Sequence, residues 1–389
     1  MRVARRDLIK LAGAVMAAPA LARFAGAQTQ VVLKLHHFFS PLSSMHAKFL
    51  VPWAKKIGVA SEGRIRVDIF AAMQLGGSPS DLYDQARDGI ADIVWTLPGI
   101  SPNRFPTVEA VELPFVAGKR AVANARAVQE FADASLKDEF RAVLPLCVCA
   151  HDQSLIHTAK PIATLDDLKE LKLRPPTRLA GDALKALGAS AAFVPLSQVA
   201  DGFGRKVLDG CVLPWDTAAA AKIHELMKFH AEISTSPTLS TGAYILAMNR
   251  AKYAALPGDL KKVMDDASGD AAAAMVGRMW DEQAAAIDDM VRKRGNTVTA
   301  IAPEEAVRWR KATEPVVNGW ITQVRTRSID GSKVVDTLRI LVAKYEAQSP
   351  AVAAPAVPAT LAVPETAAPV APAPAAAVPK TCAPWCPSP

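Results

Sequence analysis

The residue best suited to do chemistry in this sequence is Arg174, in the stretch Glu170-Leu-Lys-Leu-Arg-Pro-Pro-Thr-Arg178. Leu171 and Leu173 alternate with lysine as a short strand does, and the arginine falls at the strand's C-terminal tip. A guanidinium is a planar fork that meets a carboxylate with two parallel hydrogen bonds, which an ammonium cannot do. Pro175 and Pro176 restrict the adjoining backbone, so the fork starts from a stiff base. Thr177 is a helix-capping residue type, and a helix N-terminus beside the fork adds partial positive charge for an anion. This is chemistry for gripping a small carboxylate without transforming it. The plainer reading is a surface arginine paired with Asp or Glu. Arg178 offers a second positive group nearby.

Other reactive side chains are sparse. His36 and His37 close the first strand pattern; neighbours on a strand point to opposite faces, so they do not share one ion, and His37 is the one expected near a ligand. Cys147 and Cys149 share a strand face, but no further Cys/His set has metal-site spacing, so they read as a buried strand. Gln74 and Thr96 are polar residues near strand ends, within reach of a ligand. The chain has seven histidines and no Gly-x-Gly-x-x-Gly loop, His-Glu-x-x-His helix, Gly-x-Ser-x-Gly elbow or four-cysteine cluster, so neither an enzyme motif nor a cofactor or metal is called for.

The elements that must position Arg174 alternate. Val31 to Leu35, Arg64 to Phe70, Ile90 to Trp95, Val143 to Cys149, Ala191 to Val194 and Cys211 to Leu213 read as strands. Helical patterns fall between them: around Phe49, Trp53 and Ile57 with Pro52 as a kink or fresh start, then over 81–88, 179–187 and 198–208. That order argues an α/β architecture with mainly parallel sheets. After a strand over 239–248, one long helical segment opens at Pro257 and closes at Arg292-Lys-Arg-Gly295, followed by a strand over 297–301 and a helix led by Pro303.

Both ends of the 389-residue chain read as lying outside the fold. Residues 1–27 have a basic head, a short Ala/Gly-rich apolar run and a small-residue cleavage pattern, the signature of an export signal and not of a membrane span. Arg5-Arg6-Asp7-Leu8-Ile9-Lys10 fits the twin-arginine type, with an ordinary secretory signal as the alternative. This segment holds five basic residues and one acidic one, so the formal charge of +7 falls to +3 without it, and nucleic-acid binding loses its support. Residues 349–389 are an Ala/Pro-rich run expected to stay disordered, ending in Cys382 and Cys386, which can close a small disulfide in an oxidising compartment. About 320 residues remain between, enough for two domains.

Several of these stretches, taken together, resemble solute-binding proteins of tripartite ATP-independent periplasmic (TRAP) transporters, the DctP family. The similar pieces are Lys160-Pro-Ile through Leu-Asp-Asp-Leu-Lys169 to Lys172-x-Arg174, with "EGRIRVDIF", "MQLGG", "ELPF", "ALGA", "VPLSQV" and "LDG" with Pro214, in order from about residue 31 to 233. The resemblance implies a two-domain, type II-like periplasmic binding-protein fold with crossing strands and a long bracing helix. Domain I would be 28–155 with 239–300, and domain II 156–238 with 301–348. It also implies a periplasmic protein that closes on a small organic acid and delivers it to TRAP membrane permease subunits, with Arg174 as the carboxylate-binding arginine. A periplasmic enzyme acting on an organic acid, or a binding protein serving a sensor, are the alternatives. Two departures from the family pattern bear on the ligand. The strand before Lys160 carries His151, Gln153 and His157 and no second arginine, and Leu213 replaces the asparagine before Pro214-Trp215-Asp216. One anion fork with Phe38, Phe193 and Trp215 around it, and with Gln153 and Asp216 as polar neighbours, suits a monocarboxylate with an apolar or aromatic body better than a dicarboxylate. Arg178 would weaken that inference if it supplied a second charge. Trp215 stays open between ligand stacking and core packing.

Overall fold

The computed structural model describes residues 30–349. The expected export signal, the Ala/Pro-rich tail and the Cys382/Cys386 pair lie outside those residues. The described residues form eleven strands: β1 (Val31–His37), β2 (Ile65–Phe70), β3 (Ile93–Thr96), β4 (Leu144–Ala150), β5 (Leu155–Thr158), β6 (Lys172–Arg174), β7 (Ser190–Ala191), β8 (Gly210–Leu213), β9 (Phe229–Ile233), β10 (Ala243–Met248) and β11 (Thr297–Ile301). They form two sheets, ordered β2-β1-β3-β10-β4 and β11-β9-β5-β8-β6-β7. In the first, β1 runs parallel to β2 and β3, with His37 opposite Trp95, while β10 is antiparallel to both β3 and β4. In the second, β6 is parallel to β8, which sets Arg174 opposite Cys211. Both sheets are therefore mixed, more so than the alternation of strands and helices suggests.

The first sheet is covered on both faces, and its strands are accordingly almost continuously apolar. Leu33, Leu35, Ile93, Trp95, Cys147, Cys149, Tyr244 and Leu246 face one core, and Val94, Val148, Ala150, Ala243, Ile245 and Ala247 face the other, as a period of two requires. The helices α1 (Val51–Ala60), α2 (Leu82–Asp88) and α3 (Ala121–Ser135) pack on this half. The helices α4 (Arg178–Ala186), α5 (Val199–Gly204), α6 (Trp215–Ala220) and α7 (Ile223–Leu226) belong to the second half.

After β10 come α8 (Arg250–Ala254), α9 (Gly258–Asp266), α10 (Gly269–Lys293), α11 (Pro303–Arg325) and α12 (Gly331–Gln348). The single helix expected from Pro257 to Gly295 is thus two, broken at Ala267-Ser268 where Gly269 takes a left-handed φ of 60°. At about 1.5 Å per residue α10 is about 37 Å long. Its first half packs Ala272, Ala273, Val276 and Trp280 into the first sheet's core, and its second half sets Ile287 and Val291 against Leu155 and Trp215 of the second. Gly277 permits this: a Cβ there would lie 2.5 Å from Val122 Cα of α3. Asp281 then accepts the Ala121 and Val122 amides at 2.6 and 3.2 Å, satisfying the free N–H groups that open α3.

The halves are joined by two crossing segments, 151–154 from β4 to β5 and 234–242 from β9 to β10. They are tied together by Ser154 N–H to Ser240 O (2.8 Å), His151 N–H to Gly242 O (3.3 Å) and Thr241 Oγ1 to His151 O (2.8 Å). The expected strand over 239–248 begins only at Ala243, because its first residues are spent on this crossing. The closing helices straddle the halves. Trp309 packs in the second core, but Trp320, Val324, Val335 and Leu338 pack in the first, so 301–348 does not stay wholly with the second sheet. Pro315 sits inside α11 between those two sets.

Candidate functional site

Arg174 ends β6 with Leu173 fully buried beside it, and is itself 9% exposed. Its Nε donates to Val194 O at 3.1 Å. β7 stops short of Val194 because Pro175 and Pro176, next in the register after Ala192 N–H bonds Leu173 O at 3.0 Å, have no N–H to continue the ladder. Among the described residues no carboxylate lies within 4.0 Å of Arg174, whereas half-buried Arg178, four residues on, is paired. Burial pulls its pKa down, opposed only by the Cys211 thiol and the Tyr244 phenol. Arginine stays charged even so. A buried cation with no counter-ion is costly, and an incoming carboxylate is what would offset it.

Arg178 does not act as a second fork. It pairs with Glu109 at 3.1 Å and Asp182 at 3.2 Å, and Glu109 belongs to the first half, so the pair straps α4 across to it. Thr177 is extended (φ −139°, ψ 170°) at the N-cap of α4, as its residue type predicts, although its hydroxyl makes no cap bond there.

The Tyr244 phenol, which feels the Arg174 charge, is the centre of an aromatic wall in the first half. Tyr244 stacks on Trp95 (centroids 5.3 Å apart, planes at 16°) and meets Trp280 at 5.6 Å, His151 at 6.0 Å and Phe39 at 6.2 Å. Phe38 stacks on Phe39 at 4.3 Å. Burial raises the Tyr244 pKa far above the ordinary phenol value, helped by Asp216, Cys149 and Glu112 and opposed by Arg174, so it is a neutral hydroxyl near both a cation and an acid. The wall stands at the carboxyl ends of β1 and β3, where open α/β sheets place ligands.

Trp215 packs on Leu155, Ile287 and Val291, and its ring meets His157 at 5.3 Å and His230 at 4.8 Å. The histidines beneath it have one consistent tautomer pattern. Leu213 O can only accept, so His157 Nε2 carries a proton (3.0 Å), and its Nδ1 accepts from His230 Nδ1 at 2.7 Å. His230 Nε2 in turn accepts from Asn296 Nδ2 at 3.0 Å. Both rings are neutral, held by burial at about 4 and about 3 respectively. Asp216, next in sequence, is 4% exposed and has an Oδ1 with no partner. Burial raises its pKa against the weaker pull of Ser44 and Lys48.

His37 departs from its expected place. It is fully buried, and both ring nitrogens are taken: Nδ1 accepts from Phe39 N–H at 3.2 Å, and Nε2 therefore donates to His46 Nδ1 at 3.0 Å. It is a strut behind Phe39, kept neutral at about 3 mainly by burial. His36 is likewise fully buried, bonded to Gln85 at 2.6 Å. Thr96 donates to Pro79 O at 3.3 Å, and Gln74 is an exposed turn residue, so neither is brought to Arg174. Gln153 lies in the crossing segment, where its amide donates to Glu232 and its Oε1 is buried without a partner. Phe193 is 56% exposed and lies over Gly181 and Pro175, one residue from the carbonyl that Arg174 holds.

Tyr244, Trp95, Trp280 and Glu112 belong to this region and were not singled out by residue type and spacing. Glu112 is 1% exposed, accepts weakly from Ala243 N–H (3.4 Å), and is pushed by burial up to about 8. Gly99 makes room for it, since a Cβ there would lie 2.5 Å from Glu112 Oε1. The buried thiols are not nucleophiles: burial raises Cys149 well above the ordinary value and Cys211 to about 12. Two surface depressions, lined in part by Arg325 and Asp330 and by Lys55 and Ile69, lie away from Arg174.

Comparison with known proteins is consistent with this geometry. A TRAP solute-binding protein from Rhodoferax ferrireducens, in complex with copurified benzoate, is 38% identical and superposes with a TM-score of 0.79 over 82% of this chain and 99% of its own. A marine metagenome TRAP solute-binding protein specific for aromatic acid ligands, crystallised with 3-hydroxybenzoate, matches with the same identity, coverage and TM-score. Among curated sequences, the outer membrane transporter protein TsaT of Comamonas testosteroni is 24% identical over 79% of this chain and 90% of its own. The model of the bacterial extracellular solute-binding protein family 7, DctP, matches residues 35–323. The chain belongs to that family: it is an extracytoplasmic solute-binding protein of the TRAP type and not an enzyme.

Proposed function

We propose that this protein binds an aromatic monocarboxylate between its two halves in the periplasm and hands it to a TRAP membrane permease. The observation that carries the reading is the buried Arg174 guanidinium, which has no carboxylate within 4.0 Å among the described residues and whose charge reaches Tyr244, the centre of the Trp95–Tyr244–Trp280 cluster. One fork neutralises one negative group, and Arg178 is engaged by Glu109 and Asp182, which disfavours a dicarboxylate. The wall offers flat apolar area with few polar handles, as expected of a pocket for a ring. Benzoate and 3-hydroxybenzoate in the two similar receptors support the same ligand class.

Closure would pivot on the crossing segments 151–154 and 234–242, with the closed form gaining ligand contacts that the open form lacks. The twin-arginine pattern at Arg5-Arg6 supports export in the folded state. The test is isothermal titration of the mature protein with benzoate, phenylacetate, succinate and pyruvate. Saturable binding of the aromatic acids, at least tenfold tighter than of the other two and abolished by Arg174→Ala, is the expected outcome. Preference for succinate, or full affinity in Arg174→Ala, refutes it.

A further inference from the structure

We infer that Asp216 selects among aromatic acids by hydrogen-bonding a hydroxyl group on the ring, away from the carboxylate that Arg174 holds. The inference rests on the aromatic-acid reading above and refines it. Asp216 is 4% exposed, its Oδ1 is buried with no partner, and among the described residues no Lys or Arg lies within 4.0 Å of it. Ser44 serves the carboxyl through its hydroxyl and its backbone N–H, which leaves Oδ1 as the oxygen without a donor. Lys48 Nζ donates to Gln283 Oε1 at 2.7 Å. A buried acceptor left without a donor is costly, so the site rewards a ligand that brings one.

Its surroundings fix the direction in which it looks. Asp216 is carried by α6 of the second half, but the groups that feel its charge or act on it are Ser44 and Lys48 after β1, Tyr244 of β10 and Asp152 of the crossing segment. β8, which leads into α6, runs parallel beside β6, so Asp216 and Arg174 stand at the same edge of the second sheet, with Ser44 of the first half against the carboxyl. Tyr244 also feels Arg174, which makes its hydroxyl the common neighbour of the fork and the acid. A ring acid anchored on Arg174 and lying along Tyr244 extends toward Asp216. Burial raises the Asp216 pKa, which lessens the repulsion of an incoming anion, and the unpartnered Oδ1 can accept a hydrogen bond from a ring hydroxyl.

The test is titration calorimetry with benzoate, the ortho, meta and para hydroxybenzoates, and the matching methoxybenzoates, whose oxygen cannot donate. Native protein, Asp216→Asn and Asp216→Ala are compared, with thermal unfolding as a check that each variant is folded. At least one hydroxybenzoate is expected to bind native protein about tenfold or more tighter than benzoate and its own methyl ether. That ratio falls to within about twofold in Asp216→Ala. Equal loss for all acids assigns Asp216 to holding the halves together and overturns the inference, as does an unchanged ratio. Loss of the preference on chelating divalent ions overturns it too, since a metal would then be the partner of Asp216. If native protein binds none of these acids, the aromatic-acid reading itself falls.

Discussion

Replacing Arg174 with methionine separates two energies that meet at the fork. The guanidinium is 9% exposed and has no carboxylate within 4.0 Å among the described residues. Keeping an ion out of water costs several kcal/mol even after relaxation, and an apolar side chain of similar volume removes that cost. Against it stands the Nε bond to Val194 O, worth about 1 kcal/mol. The ligand-free variant is therefore expected to be more stable than the native protein, by about 1–3 kcal/mol. At roughly 2–4 °C per kcal/mol, its midpoint rises by about 2–12 °C. Binding moves the opposite way. Loss of one partner of a buried charge pair costs about 2–5 kcal/mol, so Kd for benzoate rises by about 30-fold to several thousandfold. The assay is differential scanning calorimetry of stripped protein together with titration calorimetry. A methionine variant that is less stable when unloaded, yet binds within threefold of native, would make Arg174 a structural tie and remove it from the ligand site. Arg174→Lys keeps the charge but not the fork, and affinity is expected to fall at least tenfold.

Glu112 and the buried histidines give pH dependences of opposite sign. Burial raises Glu112 from 4.5 to about 8, so the folded state keeps a proton that the unfolded chain releases; its contribution is full below 4.5 and lost as pH climbs through 8. Glu112→Gln should flatten the fall in unfolding midpoint between pH 5 and 8.5, and an unaltered slope would show that Glu112 does not titrate there. His157 is lowered from 6.5 to about 4, so its contribution is present above pH 6.5 and drains away on acidification, at roughly 1.4 kcal/mol per pH unit. His157→Asn is expected to give a shallower acid limb in the same scan, and an equally steep limb would count against the neutral His157–His230 pair. Gly277→Ala places a methyl against the α3 backbone, and denaturant unfolding should register a loss of about 1–3 kcal/mol; no loss would mean that α10 and α3 part easily.

The fork was legible because its signals are local: alternating leucines, an arginine at the strand tip and two prolines that stiffen the backbone beyond it. The aromatic wall was not. Tyr244 sits in a run, Ala-Tyr-Ile-Leu-Ala-Met, that is buried on both faces and shows no alternation, so nothing in it marks which side chain meets the gap. Its partners Trp95 and Trp280 lie far apart in sequence and meet only through the order of the strands and the course of α10. The engagement of His37 was hidden for a related reason. Period-two reasoning gives a face, but it cannot say that Phe39 N–H and His46 will take both ring nitrogens. The break between α9 and α10 rests on one left-handed glycine inside a helix-rich stretch, where residue type alone allows continuation.

β10 lies between β3 and β4, hydrogen-bonded to both. On a growing chain, β3 and β4 emerge long before it and wait with open edges while five strands of the other sheet are made. Such edges invite pairing with the wrong neighbour. The keystone strand arrives only when residues 243–248 leave the ribosome, so neither half is finished until most of the polypeptide exists. An assembly order of this kind disfavours any attempt to produce the first half as a separate fragment.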